Sequence, residues 1–376
     1  ITRLKDGKIL DINQSFIEAS GFSREEVIGR YSIENINLWA NPDERQTYAE
    51  ALMRDGAVRH MELQFRIKNG DIRLGSICGE LIEIGGERCI FGTMRDITDE
   101  RRAAKTFEQY PNASRFADFR VMLDKMGREI DAVVVSTPDH IHAPASVTAM
   151  RHGKHCYCEK PLGHNVHEIR VATEVAHKYG VATQHGTGAH AGWNFRRVVE
   201  LIRSGAIGEV REVHIWRELG SAPRSRPKET PPVPAYLDWD LWLGPAPERP
   251  FWPGKYHPGQ WRRWWDFGQG TLGDMACHYM DLPFWALDLK YPLTVEAEGP
   301  PVHPESTPLW RICHWQFPAR VDLPPVKLTW HDGGKRPALQ KEHNMPNYRE
   351  GTLFVGSEGM LIADYGHHEL YPKEKF

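Results

Sequence analysis

Two stretches of this 376-residue chain carry residue types that could do acid–base chemistry. In one, the glycine-rich run 268–273 is followed by Asp274 and, four residues on, by His278. A helix starting after Gly273 makes both side chains neighbours on one face. Asp and His side by side are the residue types of general acid–base work. The same spacing also arises as a helix-surface pair, or as a capping Asp beside a hydrogen-bonded core His. The other stretch is Cys158-Glu159-Lys160-Pro161. Taken alone, a Lys after a strand is also simply a solvated side chain, and the Pro merely opens the next segment.

The elements around these stretches change in kind along the chain. Residues 131–137 (DAVVVST) are an apolar β-rich run of the sort buried in a parallel sheet. The helical APASVTAMRHG follows, then HCYCEK, the helical HEIRVATEVAHKYG, and VATQHG. Gly153 and Gly180 stand where helices are capped, and each connection is short. A parallel sheet with right-handed crossovers follows, and such sheets bind ligands at the carboxyl ends of their strands. Those ends carry Ser136-Thr137-Pro138-Asp139-His140-Ile141-His142 and the Cys158–Pro161 stretch.

Before this region, short β-type runs alternate with Asp-Gly, Asn-Gly and Gly-Gly turn signals, which predicts an antiparallel sheet. Two helical stretches lie between them, over residues 13–22 and over 41–56, the second with an Asn-Pro start and a Gly stop. After residue 209, six β runs alternate with long Pro-rich loops. Composition divides the same way: of 13 Trp only Trp39 precedes residue 190, and of 27 Pro 22 follow residue 220. A fold of several domains is implied.

Composition also excludes partners. No apolar run approaches the ~20 residues of a membrane span, and a net charge of −3 without Lys/Arg blocks leaves no footprint for nucleic acid. Six scattered cysteines form no disulfide pattern and read as reduced thiols, which favours the cytoplasm. No metal is expected, because carboxylates and thiols do not converge. The chain begins without Met and ends abruptly after ELYPKEKF, so both ends are expected to be cuts.

The first 104 residues resemble a PAS sensory domain, through DGKILDINQSFIEASGFSREEVIGR, ELQFRIKNGDIRLGS and GTMRDITDERR in that order. The resemblance implies a small ligand, haem or flavin, or a dimerising role, and leaves the PAS ligand unknown. GRYSIENINLW lacks the cysteine of a flavin-photoadduct domain. His60, the one histidine before residue 105, reads as a surface or satisfied core residue rather than a haem ligand.

From about residue 100 onward the chain resembles the glucose-fructose oxidoreductase, inositol dehydrogenase and MocA (Gfo/Idh/MocA) family. The likeness rests on STPDHIHA followed about twenty residues later by CEKP, with TDERRAAKTF and VELIRSGAIGEVREVHIW. It implies an α/β and α+β multidomain chain: a PAS-like domain (1–104), a Rossmann parallel sheet (105–190) and an open mixed sheet in the substrate domain (191–376). It implies an NAD(P)-dependent oxidoreductase acting on a sugar, polyol or glycoside, with Lys160, Asp274 and His278 catalytic. In that reading His278 is the base that takes the hydroxyl proton. Asp274 orients it, and Lys160 stabilises the developing alkoxide. NAD or NADP would be held by Ser136, Thr137, Pro138, His140, Glu159, Lys160, Pro161 and Gln184. A sugar-like substrate would be faced by His190, Tyr256 and Arg262. His142 shares a loop with His140, and Trp261, Trp264 and Trp265 are assigned to the core.

One departure stands against the likeness. The family opens with a strand, a G-x-G-x-x-G turn and a helix that cradle the cofactor's pyrophosphate, and nothing before residue 131 does this. The run 268–273 has the glycine spacing but follows WRRWWDF rather than an apolar strand, so it is rejected as that turn. The first βαβ of the Rossmann half is missing, which weakens or abolishes cofactor binding and exposes a sheet edge. The alternatives are a non-catalytic PAS-containing sensor or binding protein, a chimera without integrated function, and redox-assisted glycoside cleavage. A homo-oligomer could form through the open sheet or the PAS domain.

Overall fold

The fold was analysed in a computed structural model. It describes all residues except 14–15, 18–19, 69, 219, 221–224, 227–231, 234–236, 253–254 and 257–258, and the side chains of 99, 100 and 103. The chain divides into two compact units, Ile1–Arg115 and Phe116–Phe376. The division falls later than the expected residue 104.

In the first unit, β1 (Thr2–Arg3), β2 (Ala57–Arg66), β3 (Ile72–Ile84) and β4 (Glu87–Asp96) form an antiparallel sheet in the order β1-β4-β3-β2. The Gly-Gly turn between β3 and β4 has both glycines at positive φ (59° and 79°), which only glycine adopts freely. Helix α1 (Arg24–Val27) carries a Ser23 capping box. Helix α2 (Pro42–Asp55) starts where Asn41 accepts from the Asp43 amide and stops at Gly56 in the left-handed conformation. Its Tyr48, Ala51 and Leu52 pack on Val58, Leu63, Ile77 and Ile90 of the sheet. The helix expected over 13–22 falls partly outside the described residues. Helix α3 (Thr98–Gln109) ends the unit's regular structure.

The second unit opens with α4 (Phe119–Met126) and then a three-stranded parallel sheet. Its strands β5 (Ala132–Val135), β6 (His155–Cys158) and β7 (Thr183–His185) are joined by α5 (Asp139–Arg151) and α6 (Val166–Tyr179). Gly180 caps α6 at φ 61°, as its position in the sequence required. Period-2 alternation turns Val135, Cys156 and Cys158 toward Ile141, Ala145 and Met150 of α5 and Ala172 and Val175 of α6. It turns Val134 to the other face, where that residue is 68% exposed. Parallel sheets ordinarily bury both faces. Here β5 is an edge strand among the described residues, and the only element of the unit before it is α4.

After α7 (Trp193–Arg203), β8 (Val210–Arg217) enters a seven-stranded mixed sheet. Helices α8 (Trp239–Leu243), α9 (Gly270–Tyr279) and α10 (Asp281–Leu287) follow. Next come β9 (Thr294–Glu298), β10 (Ile312–Phe317), β11 (Val326–His331), α11 (Ala338–Glu342), β12 (Glu350–Gly356), β13 (Met360–Ala363) and β14 (His368–Tyr371). The strand order is β14-β13-β12-β8-β11-β10-β9, with β8 and β11 parallel. Val213, Ile215, Leu328 and Trp330 pack from the sheet against Phe195, Val198 and Ile202 of α7 and Tyr279 and Leu282 of α9 and α10. All six expected β runs are strands. The seventh strand, β14, carries His368, which is half-buried with Nδ1 against the Asn194 Oδ1 at 2.6 Å. No described helix is long and apolar enough to cross a membrane.

The exposed face of β5 yields a prediction. Val134→Lys removes apolar surface from an unpaired edge and breaks no packing, so it should change the melting temperature little and lower light scattering on incubation. Unchanged scattering would show that β5 is not where copies of the chain associate.

Candidate active site

The site lies where the ends of β5 and β6 meet the amino-terminal half of α9. Lys160, just past β6, donates from Nζ to the Asp274 Oδ1 and, at 2.8 Å, to the Asp274 carbonyl. Both side chains are largely withdrawn from water. Arg262, in the 3-10 turn Gln260–Arg263, donates from Nε to the same Oδ1 at 3.2 Å. Its guanidinium lies over the Trp261 ring, 4.2 Å from the centroid. Burial works to raise the Asp274 pKa, but the two cations outweigh it and hold the carboxyl below its ordinary value.

The glycine-rich run explains how α9 reaches Lys160. Gly270 has φ 68°, and a Cβ there would sit 2.7 Å from the Thr307 side chain. A Cβ on Gly268 would sit 2.6 Å from the Arg262 backbone. Between them Gln269 donates from Nε2 to the carbonyls of Gly163 (3.1 Å) and His164 (2.9 Å). The run therefore seats the segment after Lys160 against α9. Its glycines serve close backbone approach within the protein.

His142 performs the matching task on the other side. It is buried, with Nδ1 2.6 Å from the Pro161 carbonyl and Nε2 2.7 Å from the Thr137 carbonyl. One ring thus ties the loop after β5 to the loop after β6. It belongs to the first turn of α5, as His140 does, and not to a loop.

The remaining expected site residues divide. His278 faces the charges of Lys160, Asp274 and Glu159; burial, then Lys160, lowers its pKa below the ordinary value, and Asp274 only partly opposes them. Its Nδ1 has no hydrogen-bond partner among the described residues. Asp274 therefore does not orient the imidazole by a hydrogen bond, because its Oδ1 is committed to Lys160 and Arg262. Ser136 and Thr137 are exposed, Pro138, Glu159 and Lys160 half-buried and Pro161 buried at the carboxyl ends of β5 and β6, and Gln184 is exposed on β7.

Three of the expected residues are enclosed or held by other side chains. Tyr256, expected to face a substrate, is 2% exposed and packs among Trp239, Trp264 and Phe267, where its ring is shielded from water. His140, expected beside a cofactor, is buried between Trp242 and Phe267, with Nε2 3.1 Å from the Trp242 carbonyl. Arg262, expected to face a substrate, donates to Asp274 and lies over the Trp261 ring. His190 is half-exposed, with Nδ1 2.9 Å from an Asp281 oxygen and its ring stacked on Trp285 at 4.2 Å. Trp261 and Trp264 are core residues, as expected.

Two neighbours were not singled out in the sequence. Tyr365, between β13 and β14, stands edge-on to His278 at 6.2 Å and stacks on Tyr279 at 4.7 Å. Asp139, first residue of α5, is 1% exposed. The acid at the start of a helix was its only sequence signal, and that is the ordinary place for an acid.

Comparison with known proteins gives three family matches along the chain. Residues 1–99 match the PAS domain family. Residues 93–187 match the oxidoreductase family's NAD-binding Rossmann fold, and 198–322 its C-terminal alpha/beta domain. The chain thus carries a PAS domain followed by the NAD-binding and C-terminal domains of the Gfo/Idh/MocA oxidoreductase family. The PAS and Rossmann matches overlap over 93–99, where GTMRDIT suits both. Inositol 2-dehydrogenase of Rhizobium meliloti is 34% identical over 95 residues, 25% of this chain and 29% of that protein. Levoglucosan dehydrogenase of Pseudarthrobacter phenanthrenivorans is 26% identical over 187 residues, 48% of this chain and 38% of that protein. The matches therefore span well under two thirds of these relatives. An oxidoreductase structure from Thermotoga maritima shares the fold, with a TM-score of 0.50 and 17% identity over 72% of this chain and 69% of that one.

The buried histidines give a prediction with a definite sign. Burial lowers His140 to about 4 and His331 to about 3. Unfolded histidines take up protons near pH 6.5 and these do not, so stability falls as pH drops from about 6.5 toward 4. At pH 5 each site should cost about 2 kcal/mol relative to pH 7. Denaturant unfolding followed by Trp fluorescence should show this loss, and His140→Gln should remove its share. An identical pH slope in the variant would contradict the assignment.

Proposed function

We propose that the second unit is an alcohol-oxidising or carbonyl-reducing site for a sugar-like substrate, working with a nicotinamide dinucleotide. The observation that carries this reading is the Lys160–Asp274 pair, which joins the end of a parallel strand to a helix 114 residues away. A cation fixed by a carboxylate is suited to stabilise an alkoxide. His278, its pKa lowered and its Nδ1 unpartnered, is neutral near pH 7 and available to accept a hydroxyl proton. The sugar-acting names of two relatives support the substrate class.

The donor set fits one end of such a cofactor. Ser136, Thr137 and Glu159 stand just past two of the parallel strands and Gln184 lies within the third, where a ribose and a nicotinamide amide would find hydrogen-bond partners. The pyrophosphate end is different: only α4 precedes β5 in this unit, and no described glycine turn leads from a strand into a helix there. When bound, the cofactor would supply the hydride acceptor or donor. Binding is accordingly proposed to be weak.

The alternative of a non-catalytic sensor is favoured by one observation, the exposed Val134 where a covering βαβ would pack. Titration of NADH and of NADPH into the purified chain separates the two. The enzymatic reading predicts fluorescence enhancement with weak affinity, and turnover of a polyol or sugar that falls roughly 10²–10⁴-fold in Lys160→Ala. No fluorescence change with either nucleotide would leave the sensor reading.

A further inference from the structure

Asp139 is the most deeply buried acid of this cluster. It is 1% exposed, and its Oδ2 has no hydrogen-bond partner among the described residues. Around it stand the Asp274 carboxylate and Cys277 thiol of α9, the Lys160 ammonium past β6 and the Arg262 guanidinium of the 3-10 turn. His140, next on the same helix, is turned away to the Trp242 carbonyl. Both cations donate to the Asp274 Oδ1, and Lys160 also to the Asp274 carbonyl. Two cations thus share one bonded carboxylate, with a second carboxyl buried beside them.

We propose that Asp139 is a positioning residue that acts through Lys160. Protonated, it leaves Lys160 paired with Asp274 alone, with Glu159 and His278 the further titratable groups of the site. Ionised, it becomes a second carboxylate for Lys160. Its proton goes to solvent, and no other bond changes. The position of Asp139 in the first turn of α5 favours its anion through the helix dipole and its own backbone amide. Burial and then the Asp274 charge outweigh this, with Arg262 and Lys160 only partly compensating, and raise its pKa to about 7. The site therefore stands at the edge of this change near neutral pH. As a role in catalysis, the inference rests on reading Lys160 as the alkoxide-stabilising group.

The test uses the full chain and does not depend on turnover. Infrared difference spectra of the wild-type protein below and above pH 7 should show a protonated-carboxyl C=O band that is lost as pH rises, and Asp139→Asn should lack it. In parallel, Lys160 is acylated with a small anhydride and quantified by peptide mass spectrometry against the other lysines. A second carboxylate raises the Lys160 amine pKa, so above pH 7 Lys160 should label roughly three- to tenfold faster in Asp139→Asn than in wild type. Below pH 7 the two should label alike. Superimposable Lys160 labelling at both pH values overturns the proposal, as does absence of the band from the wild-type protein, which is decisive even if the variant fails to fold. If nucleotides do not bind, these readouts still decide the role of Asp139. If turnover is found and labelling is unchanged, the enzymatic reading stands and the proposal fails.

Discussion

The geometry of the second unit depends on one ion pair, Lys160 with Asp274. Both groups are mostly buried, so each loses hydration on folding, and such a pair repays that loss only when further hydrogen bonds satisfy it. Here they do. Lys160 donates to the Asp274 backbone carbonyl as well as to its carboxylate, and Arg262 supplies a second cation. Gln269 and His142 then fix the two backbones that carry the pair, one by donating to Gly163 and His164, the other by bridging Thr137 and Pro161. Strand ends, a glycine-rich turn and a helix start are thereby held as one arrangement.

Against this well-determined half stands an incomplete one. The parallel sheet has three strands, is covered on one face by α5 and α6, and leaves Val134 to solvent on the other. In a fold whose cofactors lie across the ends of parallel strands, the missing βαβ takes with it the helix start that would face a pyrophosphate. The polar groups at the strand ends are therefore more complete than any backbone cradle for a pyrophosphate among the described residues.

How much could be read in the sequence follows from which forces act locally. Turn glycines at 56, 85, 86 and 180, the Asn41-Pro42 helix start and the six β runs after residue 209 were legible, because each is set by backbone sterics or short periodicity. Bringing Lys160 to Asp274 is a long-range event and was available only through family likeness. The Trp and Phe rings that enclose Tyr256 and His140 come together from separate segments, which residue spacing does not encode. Asp139 escaped notice because its isolation depends on where Lys160 and Arg262 point, which no spacing rule encodes. The Asp274–His278 spacing did place both groups in one site, but the partners of Asp274 are cations from elsewhere in the chain.

The central claim, that the Lys160–Asp274 pair organises this unit, is tested most directly by a double-mutant cycle. Lys160→Met, Asp274→Asn and the double variant would be unfolded in denaturant and followed by Trp fluorescence, which reports the second unit because every tryptophan except Trp39 lies beyond residue 190. A coupling energy of about 1 kcal/mol or more between the two positions is the predicted result, since groups in one hydrogen-bonded network fail to add by about 0.5–3 kcal/mol. Additive effects, with coupling indistinguishable from zero, would contradict it.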